Sequence, residues 1–406
     1  MAADKRMTRP CSRRHFLRLA ATAPLAVHAG CGGSSSSSPS AGPTGGSAAT
    51  VALVRANAYG SVGSAALRQA LELLGGVHDL VAGKTVTIKV NLTGWPMQSL
   101  FGRSPGETYV TNGELAFALA QVFTEQGATR IRIVDSEAAA LPLEEVLAAA
   151  GWDVRALQAL PGMEMENTRN LGRGTRYATL AVPDGGRIFS SFEVNHCYAE
   201  TDVFVSLCKM KEHATAAGLT LSMKNLFGIT PNSLYGLGGP AEDNLGYRGP
   251  IHSQAEGWTH LLPGEKPGFE TQPVGVRVPR TVVDENLARP VHLAVVDGIR
   301  TIRGGEGWWN AGIAPLEPGV IVAGWNPVAT DAVAAAVMGF DPRAPHGTTP
   351  FENRENHLLI AEQAGLGTAD LSRIEVRGAK VADVRTPFRT SSWRPQPPSL
   401  PYAPIG

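Results

Sequence analysis

Residues 113–137 read GELAFALAQVFTEQGATRIRIVDSE, an amphipathic run that gives way to a short β-branched one, and this exchange decides the fold. It recurs on both sides. TVALVRA (50–56), SAALRQALELLGG (64–76) and KTVTIKVNL (84–92) precede it, and PLEEVLAAAGW (142–152) follows. Strand and helix in alternation predict an α/β fold, with a largely parallel mixed sheet flanked by helices.

The rhythm breaks between residues 155 and 192, where RYATLAVP and RIFSSFEV predict an antiparallel hairpin insertion around Asp184-Gly185-Gly186. DVFVSLCKM (202–210) then reads as a buried strand. Residues 234–286 are rich in Gly, Pro, Tyr, Trp and His without a sustained period, and are expected to form a long irregular excursion of the kind that walls a binding site. Alternation resumes with VHLAVVDGI, GVIVAGWN, PVATDAVAAAVMGF, ENHLLIAEQAGLG and SRIEVRG, which closes an α/β domain over 50–385 before a Pro-rich tail at 386–406.

Ahead of that domain, Ser12-Arg13-Arg14-His15-Phe16-Leu17 leads into a mildly apolar, alanine-rich run ending at Ala29-Gly30-Cys31. The pattern fits a twin-arginine signal peptide over residues 1–30, read by the twin-arginine export machinery, and is too short and weakly apolar for a membrane span. Cys31 is the expected lipidation site and mature N-terminus, and the Gly/Ser/Pro tract at 31–49 is its tether. The expected location is the periplasm or cell envelope, with membrane contact only through that lipid.

The 406 residues carry 36 basic and 36 acidic side chains. Cleavage before Cys31 removes six of the basic residues and one acidic, which leaves a mildly acidic body and argues against nucleic acid as a partner. Only Cys197 and Cys208 remain in the body, too few for a four-thiolate cluster, and a buried free thiol is the commoner state for a cysteine within an apolar strand. There is no HExxH, GxSxG, GxGxxG or phosphate-loop motif.

Polar residues at strand ends are the candidates for a site, because parallel α/β sheets bind ligands beyond the carboxyl ends of their strands. VTIKVN places Lys89 and Asn91 on one face, and RIRIVD ends in Asp135. In KMKEHATAAGLTLSMKNLFG (209–228), Lys209, Lys211 and His213 alternate onto one face if the strand continues. Glu212, acidic residues from distant segments or a bound phosphate or carboxylate are the anions able to sit among them. The rest of that stretch reads as a helix or turn-rich segment with Thr220 and Lys224 one turn apart and Asn225 beside them. VHLAVVDG ends in Asp297, RGGEGWWNAG presents Glu306 on a glycine-rich loop, and Asn326-Pro327 starts a helix whose early turn holds Asp331. Trp308 and Trp309 are expected to stack on a planar ligand or to pack in the core.

Taken in order, IKVNLTG, IRIVDSE, SLCKMKEHATAAGLTLSMKNLFGITP, AVVDGIRTIRGGEGWWNAG and VIVAGWNPVATDAVAAAVMGF resemble the DUF362 family over about residues 51–342. The resemblance implies a shared polar site at Lys89, Asn91, Asp135, Lys209, Lys211, His213, Lys224, Asn225, Asp297, Gly298 and Asp331, and supplies no reaction. The ferredoxin-type cysteines of some relatives are missing, and Trp308 and Trp309 replace a small residue and a proline of the family's usual turn. A looser likeness to the nickel-pincer lactate racemase group is carried onto no residue.

The reading that follows is an exported enzyme that binds an anionic small molecule through its Lys/His cluster. Lys224 is nearest the chemistry, His213 does acid–base work, and Asp135, Asp297 or Asp331 handles protons or a cation. Two other readings stay open: a lipoprotein that binds an anionic metabolite without turnover, and a redox protein around a bound cofactor. The metal, the cofactor and the substrate are unknown at this point.

Overall fold

The computed structural model describes residues 49–253 and 260–389. The readings placed on the export segment, Cys31, nearly all of the tether and all but the start of the Pro-rich tail lie outside the described residues.

The strands are β1 (Ala49–Arg55), β2 (Thr85–Lys89), β3 (Arg130–Asp135), β4 (Met163–Asn167), β5 (Ala178–Ala181), β6 (Ser191–Val194), β7 (Val203–Lys209), β8 (Lys211–His213), β9 (Gly218–Thr220), β10 (Leu293–Gly298), β11 (Thr301–Arg303), β12 (Ala314–Leu316), β13 (Val320–Gly324) and β14 (Ile374–Gly378). Eight of them form one sheet in the order β14-β1-β13-β10-β7-β2-β3-β4. Every neighbouring pair is parallel except those of β13, which runs against both β1 and β10. Between β10 and β13 the chain makes only the small β11–β12 pair, with no helix to carry a parallel crossover, so β13 returns antiparallel. The hairpin expected around Asp184 is the β5–β6 pair.

Strands β7, β10 and β13 are buried along their whole length, which is why they read as nearly continuous apolar runs. Alternate residues divide between two cores. Val86, Ile88, Val205 and Leu207 pack with the helices Ser61–Leu73 and Gly113–Glu125, while Phe204, Cys208 and Val296 pack with the helices Val274–Ala288 and Pro327–Val337. Lys89 is in register with Ser206, so it leaves the sheet on the Phe204 side, whereas Lys209 shares the parity of Leu207 and leaves on the other. The chain runs from β2 out to β3 and β4 and then returns to β7 on the opposite flank of β2. This is a topological switch point, where α/β sheets open a crevice at their carboxyl ends.

Two expectations are corrected here. Residues 274–286 are not irregular: they belong to a fifteen-residue helix, Val274–Ala288, that contains Pro279. Pro279 cannot bond back to the Gly275 carbonyl, and the Glu355 N–H takes that acceptor instead at 2.8 Å, so the helix continues through the proline. The segment after Lys209 also differs from the reading. β7 stops at Lys209, β8 pairs with β9 through a turn at 214–217 that enters β9 at Gly218 (φ 77°), and helix begins only with the single turn Ser222–Asn225. Thr220 is therefore a strand residue and not one helical turn from Lys224.

Cys197 and Cys208 are both free and buried. Among the described residues no helix is long and apolar enough to cross a membrane.

Candidate functional site

The expected single cluster of cations divides into separately satisfied units. At the end of β2, the Lys89 ammonium lies 2.7 Å from Asp135 Oδ1 and donates to the Val90 carbonyl at 2.6 Å. Asp135 also accepts from Leu92 N–H and Ser136 N–H, and the Asn225 amide donates to the Lys89 carbonyl at 3.0 Å. Gly228 packs directly on this pair: a Cβ there would lie 2.7 Å from Lys89 Nζ and 3.0 Å from Asp135 Oδ1. Gly228→Ala is therefore expected to destabilise the protein by about 1–3 kcal/mol through overpacking of a buried ion pair, measured by urea denaturation.

On the opposite face, Lys209 donates to Asp297 Oδ2 at 2.6 Å, to the Gly106 carbonyl at 2.7 Å and to the Tyr59 hydroxyl at 2.9 Å. The anion beside Lys209 is thus the carboxylate of a distant segment. Among the described residues Lys211 has no carboxylate partner and instead donates to Asn91 Oδ1, the Tyr109 carbonyl and the Glu306 carbonyl at 2.6–3.0 Å. Burial pushes its pKa down to about 7. A cleft of about 370 Å³, lined in part by Tyr59, Glu107, Asn112 and Arg300, opens beside the Lys209 pair and shares no lining residue with Lys224.

His213 is not poised for neutral-pH chemistry. Burial pushes its pKa down to about 4, and Nδ1 accepts the Ala216 N–H at 3.1 Å, which leaves the proton on Nε2. Glu306 lies 3.6 Å from His213 Nδ1; burial pulls its pKa up, but hydrogen bonds from Ala214 N–H and the Trp309 indole help to hold it below the usual carboxylate value. Trp308 donates to the Gly94 carbonyl and meets Trp309 edge-on at 5.7 Å, so both indoles are part of the packed wall. Asp331, expected as a candidate for handling protons or a cation, serves the turn at 222–225 across the core, accepting from Ser222 N–H, Ser222 Oγ–H and Met223 N–H. Asp135, Asp297 and Asp331 are thus each engaged in holding the fold.

Lys224 is the exception. Its ammonium makes no hydrogen bond to a described residue and sits 3.6 Å from the centre of the Phe227 ring, which also meets the His252 ring at 4.6 Å. Burial pushes its pKa down to about 7. Yet Lys224 keeps 8 % exposure, while Glu285, a neighbour whose charge acts on it, keeps none. Both Glu285 carboxyl oxygens are buried without a hydrogen-bond partner, and burial pushes that pKa up to about 8, against the pull of Lys224. Thr281, one turn earlier on the helix Val274–Ala288, has an unpartnered hydroxyl. His357 starts the helix His357–Gln363 that packs on this one, and neither of its ring nitrogens has a partner. Burial and the Lys224 charge push its pKa down to about 3. Arg248, bonded to the Ser136 carbonyl and to Asn232, adds a positive field that acts on Lys224 and Glu285 alike.

This concentration of buried polar atoms without partners is the candidate site. Of the residues named from sequence, the structure brings Lys224 into it. Glu285, Thr281, His252, Arg248 and His357 were missed. VVDEN at 282–286 carried a signal, two acids closing an apolar run, but it lay inside a stretch that Pro279 made look irregular. His357 follows the N-cap Asn356 and was legible only as part of a helix.

Residues 86–336 match the family described as Domain of unknown function (DUF362). The match covers more than half of the chain, and the chain belongs to that family. No curated protein matches the sequence. Among solved structures, the lactate racemase apoprotein from Thermoanaerobacterium thermosaccharolyticum is similar at a TM-score of 0.37 and 14% identity, over 66% of this chain and 54% of that one. The likeness therefore spans about half the length of that protein.

Proposed function

We propose that this member of the DUF362 family is an enzyme that binds a small anionic molecule at Lys224 and moves a proton with the Lys224–Glu285 pair. The observation that carries the reading is that the two Glu285 carboxyl oxygens are buried without a hydrogen-bond partner and the Lys224 ammonium beside the Phe227 ring has no hydrogen bond to a described residue. A structural lysine in this protein looks like Lys89 or Lys209, with a carboxylate and carbonyls around it. Burial shifts Lys224 and Glu285 in opposite directions into the same range, about 7 and about 8. Near neutral pH each can therefore hold or release a proton, and the ammonium form attracts a phosphate or carboxylate. In the same proposal the signal at residues 1–30 delivers the enzyme to the periplasm or cell envelope, and lipid on Cys31 holds it there.

The test incubates the protein in D2O with a panel of small carboxylates and phosphate monoesters and follows deuterium incorporation by NMR. For a ligand that binds, exchange is expected to peak between pH 7 and 8 and to be lost in Lys224→Met and Glu285→Gln, both with cooperative melts. Binding lost in Lys224→Met but never accompanied by exchange would favour the non-catalytic clamp.

A further inference from the structure

We propose that Glu166, His196 and Cys197 form a site for a thiophilic divalent cation of the zinc class, separate from the Lys224 site. Glu166 lies near the end of β4, and His196 and Cys197 open the one-turn helix His196–Ala199. The two elements are tied by Asn195, whose side-chain oxygen caps that turn at Cys197 N–H while its amide donates to Glu166 Oε1 at 3.0 Å. One ligating atom from each of Glu166, His196 and Cys197 falls within 4.8 Å of the others, and Glu166 and Cys197 are buried. His196 Nε2 is 3.2 Å from Glu166 Oε1 and 3.8 Å from Cys197 Sγ. A tetrahedral ion with bonds of about 2.0–2.3 Å sets its ligand atoms about 3.3–3.7 Å apart, so these distances are close to two edges of that tetrahedron.

The surroundings match the donor set. Glu200 Oε2 lies 3.1 Å from His196 Nδ1, the carboxylate–imidazole arrangement that fixes the tautomer and turns the Nε2 lone pair toward a metal. The loop above is pressed onto the ligands: a Cβ at Gly172 would lie 2.0 Å from Glu166 Oε1 and one at Gly174 would lie 2.6 Å from His196 Cδ2. A cleft of about 270 Å³ bounded by Glu144, Glu166, Asn170 and Arg173 reaches the Glu166 side of the cluster. The combination of imidazole, thiol and carboxylate selects zinc or cobalt over magnesium or calcium. The competing account is an imidazolium bridging Glu166 and Glu200 with no ion.

The full chain with Cys11 and Cys31 changed to serine, freed of metal by chelator dialysis, is titrated with CoCl2. The expected result is one equivalent bound with thiolate-to-cobalt charge-transfer absorption that ZnCl2 displaces. Cys197→Ser is expected to remove the absorption, Cys208→Ser to leave it, and Glu200→Gln to weaken cobalt binding by about 10–100-fold. If Cys197→Ser does not fold, His196→Gln serves in its place and is expected to weaken cobalt binding at least tenfold. Absence of the absorption, or its survival in Cys197→Ser or at full affinity in His196→Gln, overturns the proposal.

Discussion

Lys209→Met is expected to lower the stability by about 3–5 kcal/mol, the cost of leaving a buried carboxylate without its cation. Lys209 and Asp297 are both at 0 % exposure, so water cannot replace the missing partner. Asp297 would keep only the Tyr59 hydroxyl and the Ile299 N–H. The double variant Lys209→Met/Asp297→Leu is expected to recover a large part of the loss, because it removes both charges, and the coupling in a double-mutant cycle by urea denaturation measures the pair. Lys211→Met should be milder, about 1–3 kcal/mol, since it leaves three neutral oxygens without a donor and no charge unpaired. A Lys209→Met variant as stable as the wild type would mean that the ammonium is not held by the fold and is free to serve a ligand.

These pairings mark the boundary between what local sequence carries and what it does not. The β2, β3 and β10 strand ends were legible because period, burial and turn chemistry are local, and so was Asn326, whose side chain caps the helix Pro327–Val337 at Ala329 N–H. The α/β class and the β5–β6 hairpin followed from the same signals. The partners were not legible. Lys209 and Asp297 are neighbours because β7 and β10 lie side by side in register, a fact of sheet order that spacing along the chain does not contain. Lys209, Lys211 and His213 within five residues looked like one site, yet β7 stops at Lys209, the two lysines find separate acceptors, and His213 Nδ1 accepts from Ala216 N–H. Conversely, Lys224 and Glu285 are far apart in sequence, and the helix that brings Glu285 in depends on the Glu355 N–H serving the carbonyl that Pro279 leaves open.

A large pH effect is expected at Glu285. Its folded pKa, about 8, is raised above the ordinary glutamate value, so the stabilisation from its neutral form is fully present below the unfolded pKa near 4.5 and is lost as pH rises through 8. Glu285→Gln does not lose it, and its stability relative to wild type is expected to climb by about 3–4 kcal/mol between pH 5 and pH 8. Lys224 runs the other way. Its folded pKa of about 7 is depressed, so its stabilisation is present above the unfolded value of 10.5 and is lost as pH falls through 7. Lys224→Met should therefore gain on wild type as pH is lowered from 10 to 7. Glu137, Asp331 and Lys211 titrate in the same interval, with folded pKa values of about 8, 7 and 7, but they are common to wild type and variant and cancel in the difference. Urea melts of the three proteins at pH 5, 7, 8 and 10 make the measurement. A flat Glu285→Gln difference would mean that this carboxyl ionises like an ordinary one, and the proton relay assigned to it would then lose its acid. Opposed slopes in the two variants would show a neutral acid and a weakly held ammonium proton at neutral pH, the state from which a proton can be passed to a bound molecule in either direction.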